Sequence, residues 1–132
     1  MAASPILADS SIYLRLLRQR RDPLRALALT AVTRDLAVCG VVRCEVGRAL
    51  RQPATLKRFQ AFWDVMINVP TDNRLWEEAE NLLWRLDRQG HILSLTDVVI
   101  ACCAMRIGAT VLTFDEHFAR IPGLRVVRQV DV

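Results

Sequence analysis

At 132 residues the chain is long enough for one packed core and too short for two, which predicts a single domain over 1–132. Hydrophobic residues make up 52%, yet no apolar run is long enough to span a membrane. The start, Met1-Ala2-Ala3-Ser4-Pro5, lacks the features of a secretion signal, so a soluble, cytoplasmic protein is expected. Formal charge is +4, and of the 18 Lys+Arg residues only Lys57 is lysine. Arginine forks match phosphate oxygens and fit a nucleic-acid partner, but a bias in codon usage gives the same count, so charge alone does not decide.

In chain order, Ile6-Leu7-Ala8 is a short strand followed by Asp9-Ser10-Ser11, any of which can cap the next helix. That helix puts Ile12, Tyr13, Leu16 and Leu17 on one side and Arg15 and Arg18 outward. Asp22-Pro23 starts a second helix through about Ala31, and Leu36 to Cys39 form a second strand. A helix from Val41 to Leu50 follows. Another begins at Pro53, with Leu56, Phe59, Phe62, Trp63 and Met66 inward.

Ile67-Asn68-Val69 is a third strand, ended by Pro70. Asp72 caps a helix with the stripe Leu75, Trp76, Ala79, Leu82, Leu83 and Leu86, stopped near Gly90. Ser94-Leu95-Thr96 leads into a helix from Asp97 to Ile107, apolar nearly all round and hence central, ended by Gly108. Ala109 to Thr113 and Leu124 to Val127 complete the strands. Short apolar strands separated by helices predict an α/β fold, a parallel sheet covered on both faces. Cys39, Cys44, Cys102 and Cys103 lack zinc or redox spacing and read as core thiols.

Four acids stand where an unpaired charge is expensive. Asp9 and Asp115 each follow a strand, Asp97 opens the apolar helix, and Glu45 interrupts Val41-Val42-Arg43-Cys44-Glu45-Val46. Acids kept at such places are paired, hydrogen-bonded or bound to a metal. On a helix from Val41, Glu45 shares a stripe with Val41, Val42 and Ala49, while Arg43, Arg48 and Arg51 lie away from it. Each acid has a structural alternative: a Glu–Arg pair for Glu45, a helix cap for Asp9 or Asp115, a first-turn acid for Asp97. Brought together, the four make a hard-cation site, and oxygen ligands without histidine or thiolate select Mg²⁺ or Mn²⁺ over zinc. His117, two residues past Asp115, reads as a hydrogen-bonded structural histidine before a supporting or substrate-contacting one. There is no glycine-rich phosphate loop, no nucleophile motif with a partnered histidine, and no paired-histidine metal helix.

The chain resembles the PIN-domain ribonucleases, in particular the VapC-like toxins of bacterial toxin–antitoxin pairs. The resemblance is carried by Ile6-Leu7-Ala8-Asp9-Ser10-Ser11, Val41-Val42-Arg43-Cys44-Glu45, Ser94 to Ala101 and Ala109 to Phe118, in that order and at these intervals. It implies a three-layer α/β/α sandwich with a short, mostly parallel central sheet. It implies a metal-dependent endoribonuclease in which Asp9, Glu45, Asp97 and Asp115 bind Mg²⁺ or Mn²⁺, with Ser10 and Thr113 as polar support. Many members carry another acid or amide where this chain has His117. Arg15, Arg18 and Arg43 are candidate contacts to the RNA backbone. A small antitoxin covering the site and a homodimer are the implied partners. The rival expectation is a non-catalytic binding module on the same fold, with the acids as a structural or vestigial ion site. A phosphatase or response-regulator arrangement would need a second aspartate directly after the first strand's acid and a late lysine, and both are missing.

Overall fold

The structure, a computed structural model, describes residues 3–129. β1 (Ile6–Ala8), β2 (Leu36–Cys39), β3 (Ile67–Val69), β4 (Thr110–Leu112) and β5 (Val126–Val127) form one sheet in the order β3-β2-β1-β4-β5. Every pairing is parallel, with Leu7 opposite Ala37 on one side and Val111 on the other. Residues of β1, β2 and β4 are buried throughout, so these strands read as continuous apolar runs instead of alternating ones.

Helices α1 (Ser10–Arg18) and α2 (Pro23–Thr30) connect β1 to β2, and α3 (Gly40–Gly47) and α4 (Pro53–Asp64) connect β2 to β3. The chain then returns across the sheet through α5 (Asn73–Arg88) and α6 (Leu95–Arg106) to β4. The crossovers run in opposite directions on the two sides of β1, and because parallel connections are right-handed this places the two sets of helices on opposite faces, giving the expected α/β/α layering. The strand order reverses between β1 and β4. Their carboxyl ends therefore form the switch point at which such sheets bind ligands.

Local chemistry sets the boundaries. Asp9, Asp22 and Asp72 each cap a helix by accepting from a backbone N–H inside it, and Pro23 and Pro53 sit at helix starts. Gly90 and Gly108, just past α5 and α6, adopt φ of 83° and 65°, a conformation a side chain would strain. Between α1 and α4, Trp63 packs edge to face against both Tyr13 and Phe59, and its indole donates to the Tyr13 hydroxyl at 3.1 Å. Among the described residues no helix is long and apolar enough to cross a membrane.

Three expectations need correction. The helix carrying Glu45 ends at Gly47 and not at Leu50, so Ala49 lies beyond it, exposed; its buried stripe is Val42 and Val46. Cys44 is exposed, because two residues on from buried Val42 the helix has turned to its outer side. Trp76 is 43% exposed, next to the buried line Leu75, Ala79, Leu82 and Leu86 and not in it.

Candidate metal centre

The carboxyl ends of β1 and β4 lie side by side, the Asp9 N–H donating to the Leu112 carbonyl at 3.0 Å. This pairing puts Asp9 and Thr113 next to each other in the interior, 3% and 1% exposed. A buried carboxylate needs donors, and Asp9 has three. Its Oδ1 accepts from the Ser11 N–H at 3.1 Å and hydroxyl at 2.6 Å, and its Oδ2 accepts from the Thr113 hydroxyl at 2.7 Å. Asp9 is thus itself the α1 cap, a task that Ser10 and Ser11 do not take over.

The same hydroxyls tie in the β4 side. Thr113 Oγ1 accepts from the Asp115 N–H at 2.9 Å, and Ser11 Oγ from the Phe114 N–H at 3.1 Å. Asp115 then caps the short 3-10 turn Glu116–Arg120 by accepting from the His117 N–H at 2.9 Å. From the same sheet edge, α3 packs against both α1 and α6. Glu45 on α3 accepts from the Ser10 hydroxyl at 2.6 Å through Oε1. Asp97 stands in the first turn of α6, whose cap is Ser94; the Ser94 hydroxyl accepts from the Asp97 N–H at 3.1 Å.

Ligand-capable atoms of Asp97, Asp115 and His117 lie within 4.8 Å of one another. Asp9 and Glu45 stand outside this trio. They remain within its electrostatic reach, because the charges of Asp115, Glu45 and Asp9 all couple to Asp97. The His117 Nδ1 is 3.0 Å from Asp115 Oδ1, and since a carboxylate only accepts, Nδ1 is the donor in this contact. His117 therefore steadies Asp115 in the way that imidazole–carboxylate pairs steady metal ligands. Sequence reasoning put this histidine second to a structural reading. The i, i+2 spacing from Asp115 was its one visible signal.

Burial pushes the Asp97 carboxyl above the ordinary aspartate range, and the negative charges of Asp115 and Glu45 push it further the same way. Burial also raises Asp9, against the pull of the Ser11 and Thr113 hydrogen bonds. Repulsion of this kind is what a divalent cation offsets. The donor set, carboxylate oxygens with one imidazole at the rim, suits a hard ion such as Mg²⁺ or Mn²⁺.

Of the arginines singled out in the sequence, Arg15 is exposed and lies over the Phe114 ring at 4.0 Å, next to Asp115. Arg18 is exposed one turn further along α1. Arg43 points elsewhere: it bonds Asp64 at 2.9 Å and Asn68 at 3.1 Å and lies over Trp63.

A parallel α/β domain with clustered acids at its switch point is the architecture of an oxygen-ligand metal site. The sequence model of the PIN domain matches residues 6–124, and the chain belongs to the PIN-domain family. No curated protein sequence matches it. Among solved structures, the chain superposes on one in DNA-bound VapBC from Salmonella typhimurium with a TM-score of 0.74 at 18% identity, covering 95% of this chain and 98% of that one. For VapBC2 of Rickettsia felis, bound to a promoter DNA fragment, the TM-score is 0.71 at 20% identity, with 92% and 96% covered. For a toxin–antitoxin complex from Klebsiella pneumoniae it is 0.68 at 22%, with 96% and 99% covered. At these identities the likeness concerns the fold.

Proposed function

We propose that the protein is a VapC-like toxin, a divalent-metal-dependent endoribonuclease that hydrolyses RNA phosphodiester bonds and is restrained by a small antitoxin. The observation that carries this reading is the convergence at one sheet edge of acids from four separated segments. Asp97 and Asp115 lie within ligand distance of each other, and Glu45 and Asp9 are coupled to them. Family membership supports nuclease chemistry, and the solved complexes, toxin–antitoxin pairs, support the antitoxin partner.

Asp97 and Asp115 would hold Mg²⁺ or Mn²⁺, with Asp9 and Glu45 completing the negative shell directly or through water. When bound, such an ion makes water more acidic and offsets charge on the phosphoryl oxygens. The chain's own residues do the rest. Thr113 and Ser11 fix Asp9 and the backbone that aims Asp115. Ser10 holds one oxygen of Glu45, leaving the other to accept a proton from attacking water. Arg15, steadied over Phe114, offers its guanidinium to the RNA backbone; Arg18 is a second candidate on the same helix. Without the ion, the acids repel one another and the phosphate alike, so the metal-free site is a poor RNA binder.

The test is cleavage of single-stranded RNA by purified protein with Mn²⁺, with and without chelator. Cut products that need the metal and fall by at least about a hundredfold in Asp97→Asn, an effect of the size seen for a lost electrostatic stabiliser, are expected. A folded Asp97→Asn protein cutting at the wild-type rate would remove Asp97 from the mechanism. A homodimer, the other implied assembly, is checked by light scattering.

A further inference from the structure

Beside the metal-capable trio the sheet edge opens into a cavity of about 430 Å³. One wall is Thr113 and Asp115 themselves; another carries Arg120, at the end of the 3-10 turn, and Arg128, just past β5. The two guanidinium groups thus come from different segments to a space that Asp115 and Glu116 also line. We propose that this cavity is a phosphate subsite, in which Arg120 and Arg128 grip an RNA backbone phosphate flanking the one held at the metal centre. The proposal rests on the nuclease reading for the identity of its ligand and adds to it the side on which the strand leaves the site.

Two observations carry it. Some arginines are committed to the protein, Arg34 to Ser4, Arg43 to Asp64 and Asn68, Arg58 to Asp22 and Arg106 to Asp72, and exposed ones without such bonds among the described residues, such as Arg18 and Arg48, do not line this cavity. Among the described residues Arg120 makes no hydrogen bond or ion pair. Arg128 has a single ionic partner, Glu116 at 2.7 Å, and with side chains 61% and 83% exposed this pair is weakly held in water. A phosphate arriving in the cavity can therefore exchange for Glu116, which acts as a placeholder on Arg128. Secondly, two arginines beside several carboxylates suit a ligand that presents negative charge at intervals. A nucleic-acid strand does so, one phosphate meeting the cation-loaded acids and the next meeting the guanidinium forks, which match phosphate oxygens bidentately.

The experiment is fluorescence anisotropy of a short labelled single-stranded RNA in Ca²⁺, which takes the same oxygen ligands, over a range of salt, with gels showing that the strand stays whole. Each phosphate neutralised on a single strand contributes about 0.7 to the slope of log affinity against log salt, so Arg120→Gln with Arg128→Gln, which gives up the one phosphate both hold, should flatten the slope by about 0.7. The dissociation constant at low salt should rise roughly tenfold, with the rise in Tm on adding Mn²⁺ unchanged. Glu116→Gln, which frees Arg128, should bind RNA roughly two- to fivefold tighter. Wild-type affinity and slope in the double variant would overturn the proposal. So would loss of the Mn²⁺-induced rise in Tm, which would assign the arginines to the metal centre. Tighter binding of polyglutamate than of RNA, abolished in the double variant, would assign the cavity to a protein carboxylate and overturn it too. Failure of the nuclease reading shows separately, as wild-type protein that binds the RNA but leaves it uncut in Mn²⁺.

Discussion

The Thr113 hydroxyl is the joint between the two halves of the site: it donates to Asp9 Oδ2 at 2.7 Å and accepts from the Asp115 N–H at 2.9 Å, 1% exposed. Thr113→Val keeps the shape and leaves both partners unmatched. We expect a loss of about 1–3 kcal/mol in urea unfolding and a fall in cleavage of more than about tenfold, with Thr113→Ser recovering most of both. Asp97 obeys the opposite stability rule. Its folded carboxyl is raised above the unfolded one, so its stabilising effect is complete below the ordinary aspartate range and is lost as pH climbs through that range to the raised folded value. Metal-free Asp97→Asn should therefore melt higher than wild type at neutral pH, the gap closing on acidification; an equal or lower Tm at neutral pH would contradict it. Asp22, lowered by its hydrogen bond with Arg58, runs the other way: its stabilisation is present above the ordinary range and lost as pH falls through the lowered value. At this scale Asp9, Asp97 and Asp115 were readable because each charge sits against an apolar run. Ser11 was not, since Thr113 and Phe114 lie across the sheet from it, and His117 was readable as a hydrogen-bonded residue but not as the partner of Asp115, which depends on the rotamer in a loop.

Among the elements, α6 matters most, because its first turn delivers Asp97 and the run Val98 to Ala104 after it is buried. Its cap, Ser94, was legible only as part of a lead-in; the helix begins at Leu95, two residues before the expected Asp97. Ser94→Ala should cost about 1 kcal/mol of stability, from the lost cap, and also lower cleavage because Asp97 loses its anchor. At the other end, Gly108→Ala places a side chain on a φ of 65° and should cost about 1–2 kcal/mol with the cleavage rate per folded molecule unchanged. Helix α3 was read less well. The expected span runs past Gly47, a poor helix former, beyond which the backbone closes in tighter turns, the Ala49 N–H donating to the Val46 carbonyl and the Leu50 N–H to the Gly47 carbonyl. Glu45 itself is half-buried, three residues on from buried Val42, while of its other expected stripe neighbours Val41 is half-buried and Ala49 exposed.

Across the whole molecule, the decisive feature is the reversal of strand order between β1 and β4, which short apolar strands implied but could not order. The parallel sheet followed from strands too uniformly apolar for hairpins; the sequence of neighbours depends on how the crossovers pack. Aromatic residues show the same limit: Trp63 and Trp84 both fit a helical period, yet one is 1% and the other 60% exposed. The central claim concerns the edge this topology creates, and a crystal grown with Mn²⁺ tests it most directly through anomalous scattering. We predict a manganese peak bonded to oxygens of Asp97 and Asp115 at about 2.0–2.6 Å, the span for hard divalent ions on oxygen, with Asp9 and Glu45 facing it. A folded protein at saturating Mn²⁺ with no peak at that edge would contradict the account.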